Sequence, residues 1–471
     1  MVYNKFRLSS ICMSFIVATG LAACNPVTNS IHTATTALTT SSTTDSSTRI
    51  LTTLSTITQV YSTIPSLNLP DVNDYIITKY DSNGKTIWQN IEDFGEHDSS
   101  VSVNIDESGN SYIIGSNYDA KYDNNGKQVY FNALTNSNIV TSRSFIDAGD
   151  NIYLLATPST SGINIYKYDK NGKQVWVNQY QYPGHLTTLP TGFTLDTNGN
   201  IYITGFTSDP SDAPNDRLLL LKYDNQGNLL WSVQDDGLMQ SNTAIGPVVD
   251  NNGNIYVTGS ILKPNGNSTT NYTYVTVKYD TNGTKQWESD YTTGFGSPTD
   301  IKVDPNGNII VVGETSGLNS PEIATIKYDS TGKQLWVSSY ASGGIPSAMA
   351  IDSQGNIYIT GTSLSGTNYV TIKYDSNGYQ QWDAQYAGKG TGLLNKASAL
   401  FVDDNGNIYV TGECGLDSEY VTYDTIKYDD AGNQLWVTSY SKSDFIDKPD
   451  MLMVDALGNV YMIGRIANYS K

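Results

Sequence analysis

The sequence predicts an all-β protein made of eight similar repeats, and three observations support this prediction. The phrase Lys-Tyr-Asp-x-x-Gly occurs eight times, at spacings of 42 to 56 residues. An aromatic residue follows the Asp of each phrase after seven residues, and these positions hold all seven tryptophans. Only 15% of residues are charged, while Gly, Asn, Thr, Ser and Tyr are abundant, which is typical of short strands and tight turns. Because such a repeat cannot bury its apolar face alone, we expect a packed array such as a β-propeller.

The first phrase predicts a strand, a turn and a second strand in each repeat. Its copies lie at 79–84, 121–126, 167–172, 222–227, 278–283, 327–332, 373–378 and 427–432. The aromatic residues that follow are Trp88, Tyr130, Trp176, Trp231, Trp287, Trp336, Trp382 and Trp436. We expect these rings to be buried between neighbouring repeats, where one indole contributes at most about 5 kcal/mol.

A second phrase, Asp-x-x-Gly-Asn followed by an aliphatic residue and Tyr, alternates with the first. It is found at 196–202, 250–256, 352–358, 403–409 and 455–461. Three copies deviate: Ser111 replaces the aliphatic residue, Ile310 replaces the Tyr, and one glycine is shifted to Gly149. In both phrases we expect the Asp carboxylate to cap a type I turn and the Gly to adopt positive φ in a G1 bulge.

Each repeat therefore predicts four strands, A to D, that form one antiparallel propeller blade. The chain begins with strands C and D at Asp74 and ends with strands A and B at 451–465. Eight C–D and eight A–B hairpins give an eight-bladed β-propeller at residues 72–471. Its closing blade combines two C-terminal with two N-terminal strands, a two-plus-two closure that removes open sheet edges.

The second phrase resembles the bacterial SBBP-type β-propeller repeat lipoprotein family, whose signature is Asp-x-x-Gly-Asn-Ile-Tyr-Val-Thr-Gly. The match is closest at 250–259, 352–361 and 403–412. The resemblance implies a propeller fold and no common catalytic set. A weaker likeness to quinoprotein propellers fails on the Asp-to-Trp spacing and on the lack of a cysteine pair, so we expect no cofactor.

The N-terminus has the pattern of a secretory signal at residues 1–23. Lys5 and Arg7 precede the apolar run 11–18, which is too short to span a bilayer. Leu21-Ala22-Ala23-Cys24 resembles the lipobox of bacterial lipoproteins, which implies lipidation of Cys24. Asn25 after the cysteine then implies export to the outer membrane, facing the periplasm or the cell surface. The alternative is a plain secretory peptide with a coincidental cysteine.

Residues 24–71 predict a disordered tether, because over half of residues 27–63 are Ser or Thr and almost none is charged. Cys12 leaves with the signal, so Cys414 is the one thiol of the predicted propeller, and no disulfide framework is possible. The net charge of −19 argues against nucleic acid as a partner.

Strand direction sorts the connections of the predicted propeller onto two faces. If the A–B and C–D turns lie on one face, the B–C and D–A connections lie on the other, and all length variation falls there. Long B–C connections are expected at 207–217, 260–272 and 413–423. Loops held by a rigid scaffold often carry binding residues. The candidate ligand-binding residues on this face are Tyr180, Tyr182, His185, Asp212, Arg217, Tyr272, Asp417 and Tyr420.

No catalytic or metal-binding constellation is evident in the sequence. The chain has three histidines, and its Asp-rich turns lack the ligand spacing of calcium loops. We therefore expect a lipid-anchored, monomeric and non-catalytic module that binds or scaffolds a protein or a glycan. Two alternatives stay open: an envelope-assembly factor and a carbohydrate-active enzyme.

Overall fold

The computed structural model describes residues 72–468, except 93–101, 107, 115–117, 134–138, 159–160, 185–186, 209–215, 236–243, 265–269, 295, 317–320, 389–393, 416–421 and 441–445. Residues 71–470 form one compact unit. The predicted signal peptide, Cys24 and the tether lie outside the described residues. Every regular element among the described residues is a β-strand.

The described residues form 32 strands in eight four-stranded antiparallel sheets. Blade 1 contains β1 (Val72–Tyr80), β2 (Thr86–Glu92), β31 (Ile446–Val454) and β32 (Val460–Asn468). Blade 2 contains β3 (Ser102–Ile105), β4 (Ser111–Ile114), β5 (Tyr118–Tyr122) and β6 (Gln128–Ala133). Blade 3 contains β7 (Ile139–Ile146), β8 (Ile152–Pro158), β9 (Ile163–Tyr168) and β10 (Gln174–Tyr180). Blade 4 contains β11 (Thr187–Leu195), β12 (Ile201–Ser208), β13 (Arg217–Tyr223) and β14 (Leu229–Asp235).

The remaining blades follow in chain order. Blade 5 contains β15 (Ile245–Val249), β16 (Ile255–Pro264), β17 (Thr270–Tyr279) and β18 (Lys285–Gly294). Blade 6 contains β19 (Pro298–Val303), β20 (Ile309–Ser316), β21 (Pro321–Tyr328) and β22 (Gln334–Tyr340). Blade 7 contains β23 (Gly344–Ile351), β24 (Ile357–Ser363), β25 (Tyr369–Tyr374) and β26 (Gln380–Tyr386). Blade 8 contains β27 (Asn395–Val402), β28 (Ile408–Cys414), β29 (Thr422–Tyr428) and β30 (Gln434–Tyr440).

Blade 1 closes the ring in the predicted way. Its strand order is β2-β1-β32-β31, and β1 pairs with β32 from Val72↔Asn468 to Tyr80↔Val460. The other seven blades are simple A-B-C-D meanders. The eight-bladed, all-β architecture with two-plus-two closure is confirmed.

The core lies between blades rather than inside them. Each A strand contacts the A strand of both neighbouring blades, so the A strands form the inner ring and the D strands lie outermost. Eight clusters of buried apolar side chains each join two adjacent blades. In one of them Tyr202 of blade 4 packs with Val257 and Val277 of blade 5.

All sixteen tight turns have the geometry that the two phrases predict. In the A–B turn of blade 7, Asp352 Oδ1 accepts hydrogen bonds from the backbone N–H groups of Gln354 and Asn356. Gly355 donates its N–H to the Asp352 carbonyl and has a φ of 83°. In the deviating turn of blade 3 it is Asp150, with a φ of 61°, that takes this place.

The structure explains why the signature Asp-x-x-Gly-Asn-Ile-Tyr-Val-Thr-Gly ends in glycine. Strand A carries a bulge in seven of the eight described blades, where its pairing with strand B shifts register. A Cβ at Gly313 of strand B would lie 2.5 Å from the carbonyl oxygen of Ser297 and 2.6 Å from Pro298 Cα. The bulge presses strand A against strand B, and glycine makes room for it.

The segment 260–272, expected as a long connection, is largely a hairpin. Strands β16 and β17 have ten residues each and pair from Ile255↔Tyr279 to Pro264↔Thr270. The expectation was wrong for this blade because alternation such as Asn271-Tyr272-Thr273-Tyr274 continues the pattern of strand C.

Candidate functional site

The repeated Asp, Tyr, Lys and Trp side chains form one contact network per blade, near the tight turns. In blade 7 the Tyr358 hydroxyl donates to Asp352 Oδ2 at 3.1 Å, and Lys373 Nζ lies 5.2 Å from the centre of the Tyr358 ring. Lys373 Nζ and Trp382 Nε1 both donate to the carbonyl oxygen of Asp430 in blade 8, at 3.3 and 2.9 Å. The network thus runs from one blade to the C–D turn of the next.

The same contacts join the two ends of the chain. Lys427 Nζ and Trp436 Nε1 of blade 8 donate to the carbonyl oxygen of Ser82 in blade 1, at 3.5 and 3.0 Å. A cavity of about 260 Å³ between the turns of blades 4 and 5 is lined by residues of this network, Asp196 and Lys222 among them. Because the network recurs around the ring, these residues stabilise the fold and do not single out a ligand site.

The tryptophans are less buried than the sequence led us to expect. All seven, and Tyr130 in the eighth position, are half-buried on the outermost strands, where one face of each ring covers the turn glycine of the next blade. The largest side chains that are less than 2% exposed are all tyrosines of strands B and C. Strand D is a sheet edge, so solvent reaches the second face of each indole.

Blade 6 shows how the network adapts when its tyrosine is missing. Ile310 stands in place of the Tyr, and Lys327 Nζ contacts Asp304 Oδ2 directly at 2.8 Å. Both side chains are buried. Burial alone would raise the pKa of Asp304, but hydrogen bonds from Lys327 and Asn308 outweigh it and hold that pKa below its usual value. A phenol between Asp and Lys is thus exchanged for a buried ion pair.

The interface between blades 2 and 3 adapts differently. Tyr130 stands in place of a Trp, and the buried carboxylate of Asp119 lies beside it, accepting a long 3.4 Å hydrogen bond from Asn132 Nδ2. Burial raises the pKa of Asp119 to about 6, although the Asn132 amide and the Tyr130 hydroxyl favour the charged form. The smaller ring and the added carboxylate occur together at this one position of the ring.

Of the candidate loop residues, Tyr180 and Tyr182 share one place in the fold. Both are half-buried and pack against the apolar cluster between blades 3 and 4, next to Phe193 and Tyr223. Burial raises the pKa of Tyr180, and a hydrogen bond with Ser232 acts in the opposite direction. Part of each ring therefore serves the core, and the remainder faces the B–C and D–A side, which we call the loop face.

Arg217 and Tyr272 lie on the loop face of the next two blades. Arg217 begins β13 opposite Thr207, and Tyr272 lies in the extended part of β17 opposite Leu262. Both side chains are half-buried. Four further candidates, His185, Asp212, Asp417 and Tyr420, lie outside the described residues.

Cys414 lies at the end of strand β28. The thiol is buried and donates to the Tyr369 hydroxyl at 3.1 Å. Burial, with the nearby Asp424 carboxylate, raises the pKa of Cys414 far above its usual value. A thiol that does not ionise is a poor nucleophile, so it serves packing.

The sequence reasoning missed two charged residues on the inner strands. Arg143 of β7 and Asp300 of β19 each lie four residues before the Asp of their A–B turn. The equivalent residues of the other blades are small or apolar: Ser102, Gly192, Gly246, Ala348, Ala399 and Met451. Aligning the repeats on their turn Asp would have exposed these two departures.

Across the described residues, no group of three or more His, Cys, Asp or Glu side chains is arranged to hold a metal ion. In the part of the chain that the structure covers, no helix is long and apolar enough to cross a bilayer.

The ring of eight sheets defines the molecule as an eight-bladed β-propeller. A family model described as SBBP, β-propeller repeat, matches residues 341–369, so this segment is similar to a repeat of that family. These residues include strands A and B of blade 7. A search of curated protein sequences finds no match.

Several solved structures are similar at a coarse level. A protein of unknown function from Bacteroides caccae shares 16% identity over 59% of this chain and 90% of its own, with a TM-score of 0.33. A eukaryotic initiation factor shares 9% identity over 78% of this chain and 97% of its own, with a TM-score of 0.42. Extracellular domains 1–2 of Drosophila Semaphorin 1a share 10% identity over 74% of this chain and 88% of their own, with a TM-score of 0.44. Likeness at this level carries no inference about partners.

Proposed function

We propose that this propeller is a non-catalytic binding or scaffolding module that engages a protein or glycan partner through its loop face. The difference between the two faces carries this proposal. Sixteen turns of one geometry make up the turn face, whereas the connections of the loop face differ from blade to blade. A ligand needs an asymmetric surface, and only the loop face offers variation on a rigid scaffold.

The extended hairpin of blade 5 supports the proposal. Strands β16 and β17 have ten residues each, against seven and six for β24 and β25 in blade 7. Three added residues extend the hairpin by roughly 10 Å on the loop face. Tyr272 lies in this extension and Tyr182 two blades away, so two half-buried aromatic rings flank a broad surface. Tyrosine suits both glycan stacking and protein contacts.

Anchoring by Cys24 belongs to the same proposal. A lipidated Cys24 followed by a tether would hold the propeller at the bacterial outer membrane, facing the periplasm or the cell surface. We expect the unmodified chain to incorporate labelled palmitate and the Cys24→Ala variant to incorporate none. Cleavage of the tether by protease added to intact cells indicates the cell surface, and protection indicates the periplasm. Equal labelling of the Cys24→Ala variant would contradict the anchor.

The binding site is tested with matched tyrosine variants. The full chain is applied to a glycan array and cross-linked in envelope preparations, with Tyr182→Ala, Tyr272→Ala and Tyr379→Ala in parallel. Tyr379 is 70% exposed on the turn face and serves as the control. We expect binding to fall about tenfold or more in the first two variants and to stay unchanged in the third. Equal loss in all three variants, or release of reducing ends from a polysaccharide, would overturn the proposal.

A further inference from the structure

The inner strands surround the axis of the ring, and we call the passage between them the central channel. Strand A runs from the loop face to its A–B turn. A residue four positions before the turn Asp therefore lies about 13 Å from that Asp along the strand, inside the channel. Arg143 and Asp300 occupy this depth in blades 3 and 6. Most of the other blades have Gly, Ala or Ser at this position, so the two charged side chains are exceptions.

Arg143 is an exposed residue and is nevertheless surrounded by protein. Solvent contact of this residue is expected for a group that projects into a channel. Enclosure lowers the pKa of Arg143, and the Asp300 carboxylate partly offsets this effect. An enclosed cation attracts an anion more strongly than one on the open surface, because less water screens it.

Asp300 neutralises Arg143 only in part, because its carboxylate has other partners. Its Oδ2 accepts a hydrogen bond from the backbone N–H of Met349 at 3.3 Å and lies 3.7 Å from Lys302 Nζ on its own strand. Among the described residues, Arg143 makes no ion pair of its own. Two cations thus share one carboxylate at this level of the channel.

Arginine is the residue that suits recognition of an anionic oxygen group. Its planar guanidinium can donate two parallel hydrogen bonds to a carboxylate or a phosphate. The net charge of the chain is −19, so the outer surface does not concentrate anions, and a site for them has to be local. The channel provides such a place, because the guanidinium of Arg143 makes no ion pair among the described residues and the equivalent residues of most blades are small.

We propose that the central channel is a binding site for a small anionic ligand whose carboxylate or phosphate group contacts Arg143. The two chemistries share an oxyanion with at least two acceptor oxygens. Lys302, two residues nearer the turn face, supplies further positive charge. The site lies in the channel and does not depend on the function proposed for the loop face.

The test is calorimetric titration of the full chain with two anionic probes, inorganic phosphate and glucuronate. Glucose and sodium chloride at matched ionic strength are the controls for the neutral sugar and for bulk salt. We expect saturable binding of at least one anionic probe at millimolar concentration. Preference for phosphate or for glucuronate then separates the phosphate ligand from the carboxylate ligand.

Three variants assign the binding to the channel. Arg143→Ala is expected to weaken it about tenfold or more, while Arg143→Lys retains part of it because a lysine keeps the charge without the fork. Lys127→Ala removes a cation from an exposed turn and is expected to change affinity less than twofold, since an exposed charge is screened. If neither probe binds saturably, or if Arg143→Ala binds like the unmodified chain, the proposal is wrong. Circular dichroism of each variant separates a lost site from a lost fold.

Discussion

The glycine that ends each C–D turn lies against the aromatic ring of the preceding blade. At Gly332 the backbone has a φ of 87°, and a Cβ would lie 2.6 Å from Cδ2 of Trp287. Gly307, in the A–B turn of the same blade, has a φ of 78°, and a Cβ there would meet nothing within 4 Å. The two glycines share a backbone conformation and differ in the contact alone.

Alanine substitutions at Gly307 and Gly332 together measure how much the contact with the indole adds to the loss of stability. Gly307→Ala is expected to lower the free energy of unfolding by about 1 kcal/mol, the penalty of a left-handed alanine. Gly332→Ala adds a steric clash, so we expect about 2–4 kcal/mol in total. Denaturant unfolding of both variants measures the difference. Equal losses would show that the ring of Trp287 does not rest on this turn.

Asp119 gives the propeller a stability that depends on pH. Its pKa is about 6 in the folded chain against an ordinary value of 3.8, so the folded state holds the proton more tightly. The protonated Asp119 carboxyl therefore favours the folded state. This contribution to the free energy of unfolding is fully present below about pH 4, is lost as pH rises through about 6, and amounts to roughly 3 kcal/mol. Asp119→Asn should therefore raise the free energy of unfolding near pH 7 and change it little near pH 4.

Unfolding measured across this range, with Asp404→Asn as the control, checks the prediction. Asp404 lies exposed in a turn, and its replacement removes one carboxylate from the surface. A gain from Asp119→Asn that is the same at both ends of the range would contradict the assignment.

At the scale of the element, a blade is joined to its neighbour by the lysine of strand C. In blade 4, Lys222 Nζ lies 5.0 Å from the centre of the Tyr202 ring and donates to Thr281 of the next blade at 3.3 Å. In blade 6, Lys327 instead pairs with a buried carboxylate. The same substitution therefore tests two versions of one contact.

Lys327→Met is expected to cost roughly 3–5 kcal/mol, because it leaves the Asp304 charge buried without its partner. Lys222→Met loses a cation–π contact and a hydrogen bond, which amounts to about 1–2 kcal/mol. Adding Asp304→Asn to Lys327→Met should recover part of the loss. Since Lys327 holds the pKa of Asp304 low, the cost should shrink as pH falls below about 4. Equal costs for the two lysines would refute this account.

Strands and turns could be predicted because their signals are local. The Asp and Gly of each phrase fix a turn within six residues, and the alternation of Val275 and Val277 with threonines fixes the strand beside it. What could not be predicted depends on contacts between distant segments. An alignment of the repeats shows that Arg143 is an unusual residue, but its position in the channel, like the proximity of Tyr130 to Asp119, follows only from the arrangement of the blades.

At the scale of the whole molecule, stability depends on closure of the ring. The C-terminal hairpin β31–β32 completes blade 1, and Trp436 reaches the turn at Ser82 from the other side. Truncation after Lys427 removes β30, β31 and β32 and leaves two blades incomplete. We expect such a chain to lose its cooperative thermal transition. A truncated chain that melts cooperatively at the same temperature would count against a closed ring.

The most direct test of the closed ring is amide hydrogen exchange of β1 in the intact full chain. Because β1 lies between β2 and β32, its N–H groups are bonded on both sides, like those of the interior strand β25 in blade 7. The account predicts that peptides covering Ile76–Tyr80 exchange as slowly as those covering Val370–Tyr374. Rapid exchange of alternate amides in β1, as at a free sheet edge, would show that the ring is open and contradict the account.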